Sequence, residues 1–223
     1  MNKETISIKT YESQEAVEQH KKENLKGLDS QEKKILNEYL KKGAKILDLG
    51  CGAGRTTFPL FKMGYEIIGV DLSNNLIKLA KEEYPQINFQ LGDASSLNFK
   101  NEVFDLVFFS CMGLDFIYPL EKRIQAVKEI CRVLRPKGYF IFTSRDPKLW
   151  IYLHPKWFLR NLIKGTLFKE YKYDKAPFGA MYSYYGRPKK QIELIEKNTN
   201  LRLVDLSYIN VFDIFPCYIF KKE

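Results

Sequence analysis

The residues best placed to do chemistry fall at three points along the chain. Asp48, Gly50, Cys51, Gly52 and Gly54 share one run, LDLGCGAGRTT (47–57), in which glycines alternate with other residues directly after a short apolar stretch. A backbone without side chains lets N–H groups and a helix N-terminus come up to a ligand. Asp71 closes YEIIGVD (65–71), 17 residues after Gly54. A carboxylate at such a strand end can accept hydrogen bonds from both hydroxyls of a ribose. Gly92-Asp93 follows the next apolar run, where another carboxylate can meet an adenine amino group. Plain alternatives exist: the glycines could make only a tight turn, and Asp71 could cap the next helix. Arg55 stands where the dinucleotide pattern GxGxxG wants a third glycine, which disfavours a nicotinamide cofactor. Coincidence of all three points is hard to sustain.

The elements that must position these residues alternate. Asp29 with Glu32 fits a capping box for a helix running towards Lys42 and ended by Gly43. Lys45–Leu49 is a short β-type run, and a helix after Gly54 should stop at Gly64. Tyr65–Asp71 is the second strand, Ser73 caps a helix through Tyr84, and Ile87–Leu91 and Val103–Ser110 are strands. Glu121–Leu134 carries Ile124, Val127, Ile130, Cys131 and Leu134 at helical spacing. The turn Arg135–Gly138 and the strand Tyr139–Thr143 follow. Strands apolar on both faces and separated by helices predict an α/β fold whose mostly parallel sheet is covered on both sides. All three points then lie at the carboxyl edge of that sheet, where open α/β sheets bind ligands.

With these runs in place the chain resembles the class I S-adenosylmethionine-dependent methyltransferases, in their large small-molecule group. The matching runs are LDLGCGAGRTT (47–57), IIGVDLS (67–73), GDASSL (92–97), FDLVFFS (104–110) and VLRPKGYFIFTS (133–144). The resemblance implies a seven-stranded Rossmann-like sheet with a closing antiparallel hairpin, for which Leu201–Val211 and Cys217–Lys222 are the candidates. It also implies S-adenosyl-L-methionine as cofactor, S-adenosyl-L-homocysteine as product, and no metal. By the same resemblance Gly50, Cys51, Gly52 and Gly54 hold the methionine end, Asp48 orders the loop, Asp71 binds the ribose, and Leu72 belongs to the same cofactor set. Asp93 and Ala94 read adenine, and Ser110 completes the cofactor set. Relatives that methylate amino groups of nucleic-acid bases carry two prolines after the fourth strand. Ser110-Cys-Met-Gly-Leu-Asp-Phe116 has neither. Cys111 also lacks the neighbouring proline of cytosine C5 enzymes and reads as a buried small residue near the cofactor.

What remains is the acceptor. The chain of 223 residues carries a net charge of +9. Residues 145–190 hold eleven Lys/Arg against three Asp/Glu, a net of +8, together with both tryptophans. A helix over Lys156–Phe168 would set Phe158, Leu159, Leu162 and Ile163 on one side and Lys156, Arg160 and Lys164 on the other. That stripe either packs on the core as part of a mostly helical lid or meets an anionic, membrane-held partner, with Trp150 and Trp157 at headgroup level. Basic charge with aromatics also suits single-stranded RNA, the weaker reading. His154 and Asp115 are the candidate catalytic residues. Tyr11, Asp115, Tyr182, Tyr184 and Tyr185 are candidate substrate contacts. In Met181–Gly186, alternation places Tyr182 and Tyr184 on one face and Ser183 and Tyr185 on the other. His20, in EQHKKE, reads as solvated. Four cysteines without CxxC or metal-ligand spacing, and no signal-like start, suggest a cytoplasmic protein. One domain is expected: a helical cap (1–43), a cofactor core (44–144), a basic aromatic insert (145–190), and a final helix with the closing hairpin (191–223). The reading is methyl transfer to a small, sugar-like or lipid-linked acceptor, by a monomer or homodimer. The alternatives are an RNA-binding methyltransferase and a cofactor-binding protein without transferase activity.

Overall fold

A computed structural model describes residues 3–147, 154–208 and 215–223. Three helices precede the first strand: α1 (Lys3–Tyr11), α2 (Gln14–Asn24) and α3 (Ser30–Tyr39). Ser13 caps α2 by accepting from the Ala16 amide, and Asp29 with Glu32 forms the expected capping box on α3. Then come β1 (Lys45–Leu49), α4 (Thr57–Lys62), β2 (Glu66–Asp71), α5 (Asn74–Glu83), β3 (Asn88–Leu91) and β4 (Phe104–Phe109). A 3-10 turn (Gly113–Phe116) leads into α6 (Leu120–Val133) and β5 (Leu134–Thr143). Residues 135–138 loop out of β5: Leu134 pairs with Phe104, and pairing resumes at Tyr139 opposite Leu106.

The insert contains α7 (Pro155–Ile163) and the strands β6 (Tyr171–Ala176) and β7 (Gly179–Tyr184). It is followed by α8 (Pro188–Asn198), β8 (Leu201–Ser207) and β9 (Cys217–Lys222). The order β3-β2-β1-β4-β5-β9-β8 makes one seven-stranded sheet, parallel except for β9, which runs antiparallel to both β5 and β8. Strand alternation gives each face its own core. Leu47, Val107, Phe109, Phe140 and Phe220 pack with Val127 and Ile130 of α6 and Ile195 of α8. Ile46, Leu106, Phe108, Ile141 and Ile219 pack with α3 and α5. Because both faces are covered, the strands read as unbroken apolar runs.

The insert differs from a mostly helical lid. Its helix stops at Ile163, and β6 and β7 then pair as an antiparallel hairpin, Tyr171 opposite Tyr184 and Tyr173 opposite Tyr182. Tyr-x-Tyr alternation on both strands is the pattern of a half-buried ribbon. Trp150 and Val211 lie outside the described residues. Among the described residues no helix is long and apolar enough to cross a membrane.

Candidate active site

The glycine loop is held from below by Asp48. This residue is buried, and its Oδ2 accepts from the hydroxyls of Thr56 and Thr57 at 2.6 Å each. Burial pushes its carboxyl up to about 6, against the pull of those two hydroxyls. The backbone requires glycine: Gly50 and Gly52 sit at φ 67° and 54°, and a Cβ on Gly52 would lie 2.9 Å from the His20 ring. The amides of Gly50 and Cys51 donate to Val70 O, and that of Gly52 to Asp71 Oδ2 at 2.8 Å. With these three donors committed internally, the loop offers a ligand acceptors rather than donors. That suits the ammonium and sulfonium charges of S-adenosylmethionine better than a pyrophosphate.

Asp71 Oδ1 accepts from the Ser73 amide, while Ser73 caps α5, so the carboxylate does not serve as the cap. Burial raises its pKa, against the two amide bonds. At the next strand end Asp93 accepts from Ser95 and pairs with Lys122 at 2.8 Å. Burial would raise this carboxyl, but Lys122 and Ser95 together hold it below the usual carboxylate range. An open cavity runs along these strand ends. Leu49, Gly50, Gly52, Asp71, Leu72, Asp93, Ala94 and Ser110 line it. Apolar walls that include the carboxylates of Asp71 and Asp93 fit an adenosine-bearing cofactor.

Helix α1 roofs this cavity through Glu4, Ser7, Ile8 and Tyr11. Lys122 bridges Glu4 to Asp93, Thr10 Oγ1 donates to Ala180 O at 2.5 Å, and Ser7 Oγ accepts the Tyr182 amide at 3.1 Å. Helix α2 braces the loop: Asn24 Nδ2 donates to Ala53 O. Arg55, the residue in the third-glycine place, forks onto Glu32 of α3 at 2.6 and 2.9 Å and reaches Ser110 and Cys111. Arginine there ties the loop to its helical cap.

A second cavity adjoins the first. Both are lined by Tyr11, His20, Gly52, Ser110, Cys111 and Phe116, and the second continues to Arg145, Asp174, Lys175, Phe178 and Met181. His20, read from the sequence as solvated, instead lines both cavities. Its Nδ1 lies 2.8 Å from Ala16 O. A carbonyl only accepts, so Nδ1 carries the proton, and Nε2 of the neutral ring is an acceptor on the Gly52 side. Only Ala16, buried one turn earlier, hints from sequence that this face of a charged helix points inward.

Tyr11 ends α1 and stands between the cavities, with its ring 5.6 Å from Phe116 and 5.4 Å from Phe178. Burial, then Asp71, pushes its phenol pKa up, so it stays protonated. Cys111 is exposed to both cavities rather than buried, and its thiol pKa is raised by the crowded surroundings.

Several expected contacts are displaced. Asp115 is fully buried, accepting from Ser144 Oγ and the Arg145 amide and paired with Arg123 at 3.3 Å, so it faces neither cavity. The partners that draw it inward come from α6, close by in sequence, and from the more distant end of β5. Tyr184 is buried against the Arg123 guanidinium at 4.4 Å, and Tyr182 lies under Lys3. Tyr185 donates to Asp174. All three tyrosines build the hairpin instead of lining a cavity, although their neighbour Met181 does line one. His154 stands at the N-cap of α7, away from both cavities. Gly54 and Asp48 shape the loop from outside the cavities, and Cys51 borders only the second. Among the described residues no cluster of His, Cys, Asp or Glu is placed to hold a metal ion.

Residues 47–142 match the family described as a methyltransferase domain. Over 183 residues the chain is 30% identical to the ubiquinone biosynthesis O-methyltransferase of Coxiella burnetii, covering 80% of this chain and 72% of that protein. It is 32% identical over 126 residues to the demethylmenaquinone methyltransferase of Paenarthrobacter aurescens, covering 55% of this chain and 48% of that one. Among solved structures, a SAM-dependent methyltransferase from Methanosarcina mazei superposes with a TM-score of 0.74 at 21% identity, covering 88% of this chain and 98% of that one.

Proposed function

This chain belongs to the class I S-adenosylmethionine-dependent methyltransferases, and from that premise we propose that its acceptor is a small molecule with a hydroxylated aromatic ring. The observation that carries the proposal is the second cavity. It meets the cofactor cavity at Tyr11, His20 and Cys111 and is walled by Phe116, Phe178 and Met181. Aromatic walls favour a planar ring. Lys175, exposed at the hairpin tip, adds a cation suited to an anionic substituent. The names of the relatives, concerned with ubiquinone and menaquinone, support a ring acceptor for this chain too.

Bound S-adenosylmethionine supplies an electrophilic methyl group on a positively charged sulfur. Asp71 would hold its ribose, and Asp93 with Ala94 its adenine. Tyr11 separates the two cavities and limits water between them. His20 Nε2 is the group to take the proton from an acceptor hydroxyl, and Ala16 O holds the ring in the tautomer that allows this. Alignment of the two reactants across the shared wall does the rest.

The test is a tritiated-methyl assay on panels of hydroxylated aromatic compounds, sugars and RNA, with wild type and His20→Ala. Transfer to the aromatic panel is expected, and the variant should lose about a hundredfold in kcat while binding S-adenosylhomocysteine as before. Transfer to sugars or RNA alone would refute the ring acceptor. An unchanged kcat would remove His20 as the base.

A further inference from the structure

Helix α7 is built inside out. Its buried side chains are Trp157 and Asn161, one turn apart. Asn161 serves the backbone: Nδ2 donates to Trp157 O and Tyr173 O, and Oδ1 accepts the Tyr173 amide at 2.8 Å. Trp157 Nε1 donates to Asp174 Oδ1 at 3.0 Å. The apolar face points away from the protein. Leu159, Leu162 and Ile163 are 56%, 50% and 77% exposed, Phe158 is 38% exposed, and Phe168 in the following turn is 93% exposed. Single exposed leucines are ordinary, but five large apolar side chains on one helix and its next turn are not.

The rim of this patch is basic. Lys156, Lys164 and Lys169 are exposed around it, and Glu170 is the sole acid between Pro155 and Lys172. Lys164 Nζ lies 4.3 Å from the centre of the Tyr173 ring, its stem laid along the hairpin. We propose that this face docks on an anionic lipid bilayer, with Leu159, Leu162, Ile163 and Phe168 entering the acyl boundary and the three lysines meeting headgroups. Charge complementarity selects that occupant. A second copy packed face to face would bring its own basic rim against this one, whereas anionic headgroups neutralise it.

The docked face is joined to the acceptor cavity through one residue. Asp174, which holds Trp157, also accepts from Arg145, Ser183 and Tyr185 and borders that cavity. The surface itself does not depend on which acceptor is methylated.

Co-sedimentation of the full chain with vesicles of phosphatidylcholine, alone or mixed with phosphatidylglycerol, tests this without reference to activity. Binding to the anionic vesicles alone is expected, weakening as salt is added. Ile163→Asp with Phe168→Asp should each lower the partition coefficient, as should the triple reversal Lys156→Glu, Lys164→Glu and Lys169→Glu, together on the order of a hundredfold. These side chains are exposed, so the melting temperature and S-adenosylhomocysteine affinity should hold, and both are measured alongside. Three results would overturn the proposal: no sedimentation with either vesicle, sedimentation indifferent to both sets of substitutions, or a concentration-dependent dimer that Ile163→Asp breaks without any vesicle binding.

Discussion

Asp71 does two jobs with one carboxylate. Each oxygen already accepts a backbone amide, from Gly52 and from Ser73, and keeps a lone pair for the cavity. Asp71→Ala should therefore weaken S-adenosylhomocysteine binding by about 1–3 kcal/mol, the usual loss for hydrogen bonds to a charged acceptor. Calorimetry showing full affinity in a folded variant would move the ribose contact elsewhere. Asp48 gives a prediction of a different kind, since it lines neither cavity. Its carboxyl, raised to about 6 by burial, binds a proton more readily folded than unfolded. Stability from that proton is complete below the unfolded value near 4 and is lost as pH rises through about 6. Asp48→Asn cannot titrate, so its stability relative to wild type should climb between pH 4 and pH 7, by at most on the order of 3 kcal/mol. Denaturation curves that stay parallel across this window would mean that Asp48 titrates normally. At this scale the sequence speaks clearly for Asp48, Asp71, Asp93 and Ser110, because strand ends are marked by where apolar runs stop. It misleads on His20, read as solvated in a charged helix, which borders both cavities because α2 folds back over Gly52.

Elements whose inward face is apolar were legible, and those with polar anchors were not. Strands β1 to β5 and the capped helices α3 and α5 follow from periodicity and cap chemistry alone, whereas β8 and β9 were expected from the family resemblance. In α7 the same periodicity finds the stripe Phe158, Leu159, Leu162 and Ile163 but gives it no direction. Asn161 turns the helix over, because an amide that satisfies three backbone groups of its surroundings is better buried than hydrated. The hairpin of β6 and β7 was hidden for a related reason: YKYDKA buries Asp174, whose partners Arg145, Ser183 and Tyr185 are invisible locally. Helix α1 is an element with a testable function. It roofs the cofactor cavity and is fastened to β7 by Ser7 and Thr10. Removing both fastenings with Ser7→Ala and Thr10→Val should let the roof open more often, at about 1 kcal/mol per hydrogen bond. Dissociation of S-adenosylhomocysteine, followed by stopped flow, should then be about tenfold faster or more. An unchanged rate would show that the ligand leaves by another route.

Across the whole molecule, helix α1 ties the cofactor core to the insert, beside the direct contacts of Tyr171 with Ile117 and of Tyr184 with Arg123. The sheet carries the carboxylates of the cofactor cavity, the hairpin carries the outer wall of the second cavity, and α1 bonds to both. Glu4 reaches Lys122 and hence Asp93 on the core side, while Ser7 and Thr10 reach β7 on the other. Tyr11, at the end of the same helix, stands where the cavities meet. Ligand in the first cavity should therefore steady the second. A ligand that binds only the folded and closed form adds about 2.7 kcal/mol at a hundredfold excess over its Kd, and local openings are suppressed by the same linkage. Hydrogen exchange with saturating S-adenosylhomocysteine should accordingly slow at residues 3–11 and, in step with them, at β7, where the Tyr182 amide donates to Ser7. No residue of β7 lines the cofactor cavity, so protection there comes indirectly, through α1 or through the Tyr171 hydroxyl on Ile117 O and Tyr184 on Arg123. The Ser7→Ala and Thr10→Val variant should keep protection along Leu49–Gly52 and Asp71 while losing it in β7. Protection confined to the core in the wild type would mean that the two cavities fill independently and that α1 is a roof without being a link.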